Sequence, residues 1–324
     1  MSESKQDLWK VGFYGIINIE IENNEMESKT KEEYIRQANA YLKTVEKRKG
    51  KITRLAIQQC LLADAPNWRP SYFTKMRRAI VVQQTAAGYK KYAKEIEKIK
   101  NPCTNELLPD FEKLPIKKKK PKMKHVREAD EKALIDYFKK TENIECRAAM
   151  YIVKNLGVRP EELKGLVVTG NTVNVIGAKK NDNRGLDRKI QVNDPNTLKH
   201  LATCIDVLKK TKKTTRNIQD NVSKASRRVF KGRDRHYSLY TWRHQMGGEL
   251  KASSMPDHVI AYLMGHQSTR SIEAYGFKNR ARGGLKIQAG GYDKRIRYGA
   301  KSQYLRRITT YKSQNVNNDK GLER

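Results

Sequence analysis

Residues 240–275 read YTWRHQMGGELKASSMPDHVIAYLMGHQSTRSIEAY, and this stretch decides how the chain is interpreted. Arg243 and His266 are 23 positions apart, and Tyr275 follows His266 by 9 positions. Upstream, Arg159 stands in NLGVRPEEL at a predicted helix start. Two arginines can bind a phosphodiester, a histidine can hydrogen-bond it, and a tyrosine can attack it. The set predicts DNA strand cleavage through a covalent phosphotyrosine.

The composition of the chain favours a polyanionic partner. Its 324 residues carry a formal net charge of +33. Lysines and arginines near phosphates release condensed counterions, so an excess of this size is typical of DNA-binding proteins. A generally basic, soluble surface would account for the charge about as well. The length predicts two domains, and the 37% hydrophobic content is enough for a core in each.

The four cysteines argue against two common kinds of site. Cys60, Cys103, Cys146 and Cys204 are far apart, with no CxxC spacing and no histidine cluster nearby. We therefore expect neither a zinc site nor a disulfide framework, and a reduced, intracellular compartment. The polar start MSESKQDLWK has no apolar run for a signal peptide or membrane helix. No metal, cofactor or membrane partner is expected.

Changes in residue pattern divide the chain into five segments. They are an N-terminal extension (1–28), a helical domain with basic edges (29–112), a basic linker (113–127), a domain that contains the candidate catalytic residues (128–285) and a basic C-terminal tail (286–324). Within the extension, FYGIINIEIE alternates as one strand would. Two prolines and self-repelling charges predict that the linker is extended.

The helical domain is predicted to contain three helices. The first starts at Thr30, with Glu33 placed to complete a capping box. The second covers about 52–62. The third begins near Ser71 and runs through MRRAIVVQQTAAGYKKYAKEIEKI without a break.

The linker reads KLPIKKKKPKMKHVR, with eight Lys or Arg and no acid. Such a segment can lie along DNA as a strap, because each of its charges can contact a phosphate. A solvated hinge or a localisation-like signal has the same composition. The candidate DNA contacts are Lys117, Lys118, Lys119, Lys120, Lys122 and Lys124.

The catalytic domain is predicted to be mainly α-helical with a small antiparallel β-sheet. Its second helix, IECRAAMYIVKNL, should stop at Gly157. Pro160 suits the first turn of the next helix, which puts Arg159 at an N-terminus that favours anions. LVVT, TVNVIGA and RKIQV predict strands, and helices return from about Asn196 to Tyr275.

Within the opening stretch, spacing places side chains on shared faces. Tyr240 can neighbour both Arg243 and His244 on one helix, while Trp242 is interpreted as a packing residue. Asp257 should cap the helix of PDHVIAYLMGH, and Gly265 should end it. His266 then projects from the turn, and Ser268 can cap a further helix carrying Tyr275.

GVRPEEL, YTWRHQMGGELKASSMPDHVIAYLMGH and STRSIEAYG together resemble the tyrosine recombinase (phage integrase) family. The resemblance covers about 128–280, and the R…GH…Y spacing is specific. The helical domain and linker upstream match the family's core-binding domain in position and type, but not by motif. The resemblance implies a two-domain DNA clamp.

The resemblance also implies a role for each matching residue. Arg159 and Arg243 would bind the scissile phosphate, which Tyr275 would attack to give a 3′-phosphotyrosyl enzyme and a 5′-hydroxyl. His266 would hydrogen-bond the phosphate and help transfer protons. Glu162 matches an acidic position that orients the active site.

Two assignments stay open. The family's general acid is a hairpin lysine, here Lys179 or Lys180, with Lys179 favoured; either residue can equally be a solvated hairpin lysine. The family's H-x-x-R box begins here with Tyr240, as in a Y-x-x-R-H variant. A phenol with a pKa near 10 is a poor base at neutral pH, so His244 or His266 can take more of that role.

The resemblance implies double-stranded DNA with attachment or recombination sites as the partner. It further implies a homotetramer on synapsed DNA, a monomer or weak oligomer when free, and accessory DNA-bending proteins. The expected function is integration or excision of a mobile element, in the cytoplasm or nucleoid of a prokaryotic host. A type IB topoisomerase-like nicking and resealing enzyme and a catalytically inactive DNA-binding regulator are the alternatives.

The tail after the nucleophile has two interpretations of nearly equal weight. In the family, such a segment often docks into a neighbouring subunit, and an apolar docking face is available here: Leu285, Ile287, Tyr304, Leu305 and Ile308. A disordered basic tail would only add nonspecific DNA affinity. Tyr292 and Tyr298 are the next candidates should Tyr275 not be the nucleophile.

Overall fold

The structure, a computed structural model, describes residues 28–118, 121–178, 180, 185–291 and 296–299. The chain forms two compact units, which divide between Lys120 and Pro121. The predicted strand FYGIINIEIE lies outside the described residues. In the part of the chain that is described, no helix combines the length and apolarity needed to span a bilayer.

The described part of the first unit is helical. Its α-helices are α1 (Ser28–Lys49), α2 (Arg54–Asp64), α3 (Pro70–Ala86) and α4 (Lys90–Glu97). α3 packs against both α1 and α4. The apolar residues of α1 recur at helical spacing and are buried against this core, namely Ala38, Tyr41, Leu42 and Val45.

The first helix begins earlier than predicted and lacks the expected capping box. It starts at Ser28 rather than Thr30. The carboxylate of Glu33 accepts hydrogen bonds from the side chains of Arg36, at 2.7 Å, and Gln37. Glu33 therefore stabilises the helix by i,i+3 and i,i+4 pairs instead of bonding its N-terminus.

Two further helix bounds differ from prediction. α2 begins at Arg54 because the hydroxyl of Thr53 caps it, accepting from the amide of Ala56 at 3.1 Å. The predicted third helix is two helices, α3 and α4. The chain turns between them at Gly88, whose φ of +87° is a conformation that glycine adopts readily.

The second unit consists of helices and a small sheet that pack around one core, which is larger than that of the first unit. Its α-helices are α5 (Glu128–Lys140), α6 (Ile144–Leu156), α7 (Pro195–Lys210), α8 (Thr215–Val229), α9 (Leu239–Ala252) and α10 (Asp257–Leu263). α6 is buried along most of its length and packs against α7 and α9. Trp242 on α9 is 1% exposed in this core, as expected for a packing residue.

The sheet is antiparallel throughout, in the order β1-β2-β3-β4. Its strands are β1 (Leu166–Thr169), β2 (Thr172–Val175), β3 (Arg188–Val192) and β4 (Ile287–Ala289). The three strands predicted from LVVT, TVNVIGA and RKIQV are confirmed. So is the fold class, mainly α-helical with a small antiparallel sheet.

The fourth strand lies in the segment that was predicted to be a tail. Ile287 pairs with Val192 and is 2% exposed, and Leu285 packs against the same core. Ile287 therefore stabilises its own chain and is not available for a docking face, whereas Leu285 is only partly buried and its docking role stays a prediction. Tyr304, Leu305 and Ile308 lie outside the described residues.

Candidate active site

Arg243 is the centre of the candidate site and is wholly buried. It lies on α9, and its guanidinium donates to the carbonyl oxygens of Gly157 and Met264, the latter at 2.6 Å. Its Nε and Nη2 also donate to the hydroxyl of Tyr275, at 3.3 and 3.2 Å. Burial lowers the pKa of Arg243 to about 10, which still leaves it charged at neutral pH.

Arg159, which precedes Arg243 in the chain by 84 residues, belongs to the same candidate site. It is the residue before a 3₁₀ helix (Pro160–Gly165), as predicted except for the helix type. Its Nη2 donates to the carbonyl of Gly265 at 2.9 Å, and its Nη1 donates to Glu162 at 2.8 Å. Its side chain is 13% exposed, whereas Arg243 is wholly buried.

Glu162 holds the arginines together. Its side chain is inaccessible to solvent, and it forms ion pairs of 2.8 Å with both Arg159 and Arg188. Burial alone would raise the pKa of Glu162, but the charge and hydrogen bond of Arg188, and then the charge of Arg159, lower it to about 2. The orienting role predicted for Glu162 is thus one that its contacts can serve.

Arg188 was not among the residues selected from the sequence. It begins β3, donates from Nε to the carbonyl of Leu263 at 2.8 Å, and is 2% exposed. Its Nη1 has no hydrogen-bond partner among the described residues. The segment RKIQV contained a signal for a buried arginine. Alternate residues of a strand face the same side, so Arg188 faces inward together with Ile190 and Val192.

The ring of His266 contacts the guanidinium of Arg243. Gly265, with φ +64°, turns the chain, and the amide of His266 donates to the carbonyl of Ala261 at 2.9 Å. Its Nε2 lies 3.2 Å from Nη2 of Arg243. Since arginine can only donate, Nε2 accepts and the ring proton belongs on Nδ1. Burial, then Arg243, lowers the pKa of His266 to about 2, so it is neutral.

Two local predictions around His266 need correction. Asp257 is the first residue of α10 rather than its cap, and the residue before the helix is Pro256. The following 3₁₀ helix (Thr269–Ala274) ends just before Tyr275, so the tyrosine follows the helix instead of lying on it. Its amide bonds back to Ile272 at 3.0 Å, which fixes it at the end of the turn.

Tyr275 is packed against α9 more closely than any sequence argument indicated. Its ring lies 5.1 Å from that of His244 and 5.2 Å from that of His266, between centroids. A Cβ added to Gly247 would stand 2.7 Å from the Cβ of Tyr275. Two glycines inside a helix are disfavoured, so MGGEL was a usable signal of close approach.

Tyr240 and His244 occupy α9 beside Arg243. The hydroxyl of Tyr240 donates to the carboxylate of Glu161, with oxygen distances of 2.9 and 3.2 Å. Burial and then Glu161 raise the pKa of Tyr240, so it stays protonated. Burial, then Lys124, lowers the pKa of His244 to about 4. At neutral pH His244 is therefore an unprotonated base next to the tyrosine.

Of the two candidate hairpin lysines, only Lys180 is among the described residues. Lys179 lies outside the described residues. Lys180 forms an exposed ion pair with Asp187 at 2.9 Å. The hairpin itself is tied to the arginine cluster, because the amide of Ala178 donates to Glu162 at 3.2 Å.

The described linker lysines divide between the two units. Lys117 donates to the carbonyl of Asn67 at 2.7 Å within the first unit, and Lys118 is exposed. Lys119 and Lys120 lie outside the described residues. In the second unit Lys122 is exposed and Lys124 stands over the ring of Phe277, 5.5 Å from its centroid.

Several solved structures are similar to this chain. A lambda integrase tetramer bound to a Holliday junction matches with a TM-score of 0.53 and 14% identity, over 80% of this chain and 74% of that one. A lambda integrase dimer bound to a COC′ core site gives 0.51 and 14%, over 78% and 72%. The Tn1549 transposon integrase in complex with transposon right-end DNA gives 0.47 and 15%, over 80% and 93%.

No family model and no curated protein matches the sequence. The two lambda integrase structures therefore show that this chain has the fold of that protein at low sequence identity.

Proposed function

We propose that this chain is a tyrosine recombinase, an enzyme that cleaves and rejoins DNA at specific sites through a 3′-phosphotyrosyl intermediate. The observation that carries the proposal is the pair of hydrogen bonds from Arg243 to the hydroxyl of Tyr275. A nucleophile and a phosphate-binding group thus meet inside one chain. The fold shared with lambda integrase and the net charge of +33 support it.

The chemistry follows from the side chains. Arg243 and Arg159 neutralise the non-bridging oxygens of the scissile phosphate, and preorganised donors of this kind stabilise transition-state charge strongly. The phenolic oxygen of Tyr275 forms a bond to phosphorus as the bond to the 5′ oxygen breaks. His244 or His266 would accept the phenolic proton: His244 is neutral and its ring lies 5.1 Å from that of Tyr275, whereas Nε2 of His266 must first give up the hydrogen bond that it accepts from Arg243.

The leaving 5′ oxygen needs a proton, and Lys179 or Lys180 would supply it. Reversal of the same steps by another 5′-hydroxyl would rejoin the strands. Tyr240 stays protonated and would donate a hydrogen bond to the phosphate in place of a histidine, which is the Y-x-x-R-H variant of the family.

The rest of the proposal concerns partners. The helical segment 29–112 would act as a core-binding domain and the linker would follow the DNA backbone. The assembly on synapsed double-stranded DNA would be a homotetramer, with accessory DNA-bending proteins, and the reaction would integrate or excise a mobile element inside a prokaryotic host. The lambda integrase match describes a tetramer of that protein on a Holliday junction.

Covalent capture tests the proposal and selects the target site in the same experiment. The protein is incubated with a pool of randomised duplexes carrying nicks, and complexes that survive detergent are recovered, sequenced and digested for mass spectrometry. We expect a phosphotyrosine adduct at Tyr275 on a limited set of sequences, absent with Tyr275→Phe. Recovery of no adduct, or of one on Tyr292 or Tyr298, would contradict the proposal.

The captured site then separates the two alternatives. A type IB topoisomerase would relax supercoiled plasmids without pairing two sites, whereas a recombinase would form synaptic complexes and exchange strands. A catalytically inactive regulator would already be recognised in the capture experiment, because it would bind DNA and give no adduct.

A further inference from the structure

Lys251 contacts the main chain of the proposed nucleophile. It lies near the end of α9, and its ammonium donates to the carbonyl oxygens of Tyr275, at 2.8 Å, and Gly276, at 3.0 Å. These are consecutive carbonyls, so one charged group fixes the peptide unit directly after the tyrosine. Charge-assisted hydrogen bonds of this kind are stronger than neutral ones.

The segment that Lys251 holds is pressed onto the helix at three glycines. A Cβ on Gly247 would meet the Cβ of Tyr275 at 2.7 Å, and one on Gly248 would meet the carbonyl of Phe277 at 2.9 Å. A Cβ on Gly276 would collide with the carbonyl of His244. At these positions α9 and the segment after Tyr275 are close enough to accommodate a backbone but not a side chain. Lys251 holds the segment on the helix through its two hydrogen bonds.

The remaining contacts fix the other end of the segment. The amide of Tyr275 donates to the carbonyl of Ile272 at 3.0 Å, while Lys251 takes the carbonyl on the other side of the same Cα. With both flanking peptides held, the phenol can move only by rotation about its own side-chain bonds. In the structure its hydroxyl lies 3.2 Å from Nη2 of Arg243.

We propose that Lys251 is a positioning residue, which holds the main chain of Tyr275 on α9 so that each protomer presents the nucleophile to its own Arg243. The inference rests on the proposed role of Tyr275. Lys251 acts through the tyrosine backbone, since both of its named partners are main-chain oxygens. A contact to DNA phosphate is the competing role for a half-buried lysine, and the experiment separates the two.

The experiment measures single-turnover cleavage of the captured site and, separately, affinity for that site. Lys251→Met keeps the aliphatic stem and removes the donors, and Lys251→Arg retains donors. Lys164→Met is the matched control, because Lys164 also donates to a backbone carbonyl, that of Thr211 at 3.1 Å, away from the site. We expect cleavage by Lys251→Met to fall at least tenfold with affinity unchanged, and Lys251→Arg to recover most of the rate.

A second measurement needs no DNA. Hydrogen exchange of the Tyr275 amide should be at least several-fold faster in Lys251→Met than in the wild type or in Lys164→Met. Gly247→Ala should also slow cleavage, although alanine is the better helix former. Unchanged exchange and cleavage in Lys251→Met would overturn the positioning role, and so would an equal loss of DNA affinity and rate. If the wild type itself forms no adduct while amide exchange at Tyr275 is faster in Lys251→Met, the proposed function fails. The contact by which Lys251 holds the main chain of Tyr275 is then still supported.

Discussion

Glu162 and Arg188 form an ion pair of 2.8 Å in which neither side chain is exposed to solvent. The carboxylate of Glu162 also binds Arg159. Arg159, which is proposed to contact the phosphate, is thus held by Glu162, whose side chain is buried. Removing one partner of a buried pair leaves an uncompensated charge and costs roughly 3–5 kcal/mol.

We expect Glu162→Gln to destabilise the second unit by about that amount and to abolish cleavage, because two guanidinium groups lose their carboxylate. Glu128→Gln is the control, since it removes the same charge in the same unit at a side chain that is 80% exposed. Chemical denaturation measures the loss. Equal stabilities for the two variants would show that the buried pair contributes nothing.

The same pair predicts a pH dependence. The pKa of Glu162 is about 2 in the folded state and 4.5 ordinarily, so its contribution is complete above pH 4.5 and is lost as the pH falls towards 2. The shift corresponds to roughly 3 kcal/mol. The unfolding free energy of the wild type should therefore fall more steeply over this range than that of Glu162→Gln. Parallel curves would contradict the depressed pKa.

Arg243 offers a test of phosphate binding. We expect Arg243→Lys and Arg159→Ala each to slow single-turnover cleavage by about 10²–10³, because a preorganised donor to transition-state charge is lost. Arg216→Ala serves as the control, since its side chain is 80% exposed. Rates within a few-fold of the wild type for both variants would remove these arginines from the mechanism.

The general acid can be found by changing the leaving group. A 5′-phosphorothiolate leaves as a thiolate and needs little protonation, so it should rescue only the variant that lacks the acid. We compare Lys179→Ala with Lys180→Ala, whose lysine pairs with Asp187. Rescue of neither variant would mean that the proton comes from outside the hairpin.

Replacing the lysines of KKKKPKMK by glutamine tests the linker. Each phosphate contact that is lost should lower the log–log salt dependence of binding by about 0.9. The exposed Lys209 and Lys210, changed to glutamine, control for net charge. An unchanged slope would favour a solvated hinge over a DNA strap.

The sequence predicted the fold class and selected the residues that meet at Arg243, because each motif is local and rests on helical spacing or on glycine turns. It did not identify Arg188 or Lys251, whose roles come from partners 26 and 24 positions away. It also missed β4, since a three-residue strand beside glycines has no period of its own and is stabilised by pairing with β3.

One more consequence follows from the way Arg243 is fixed. Gly157 and Met264 hold its guanidinium through main-chain oxygens in the protein by itself, without DNA. An arginine side chain carries about 2 kcal/mol of rotamer entropy. Here that entropy is given up when the protein folds, so the phosphate encounters a group that is already ordered and association loses no further freedom at this position.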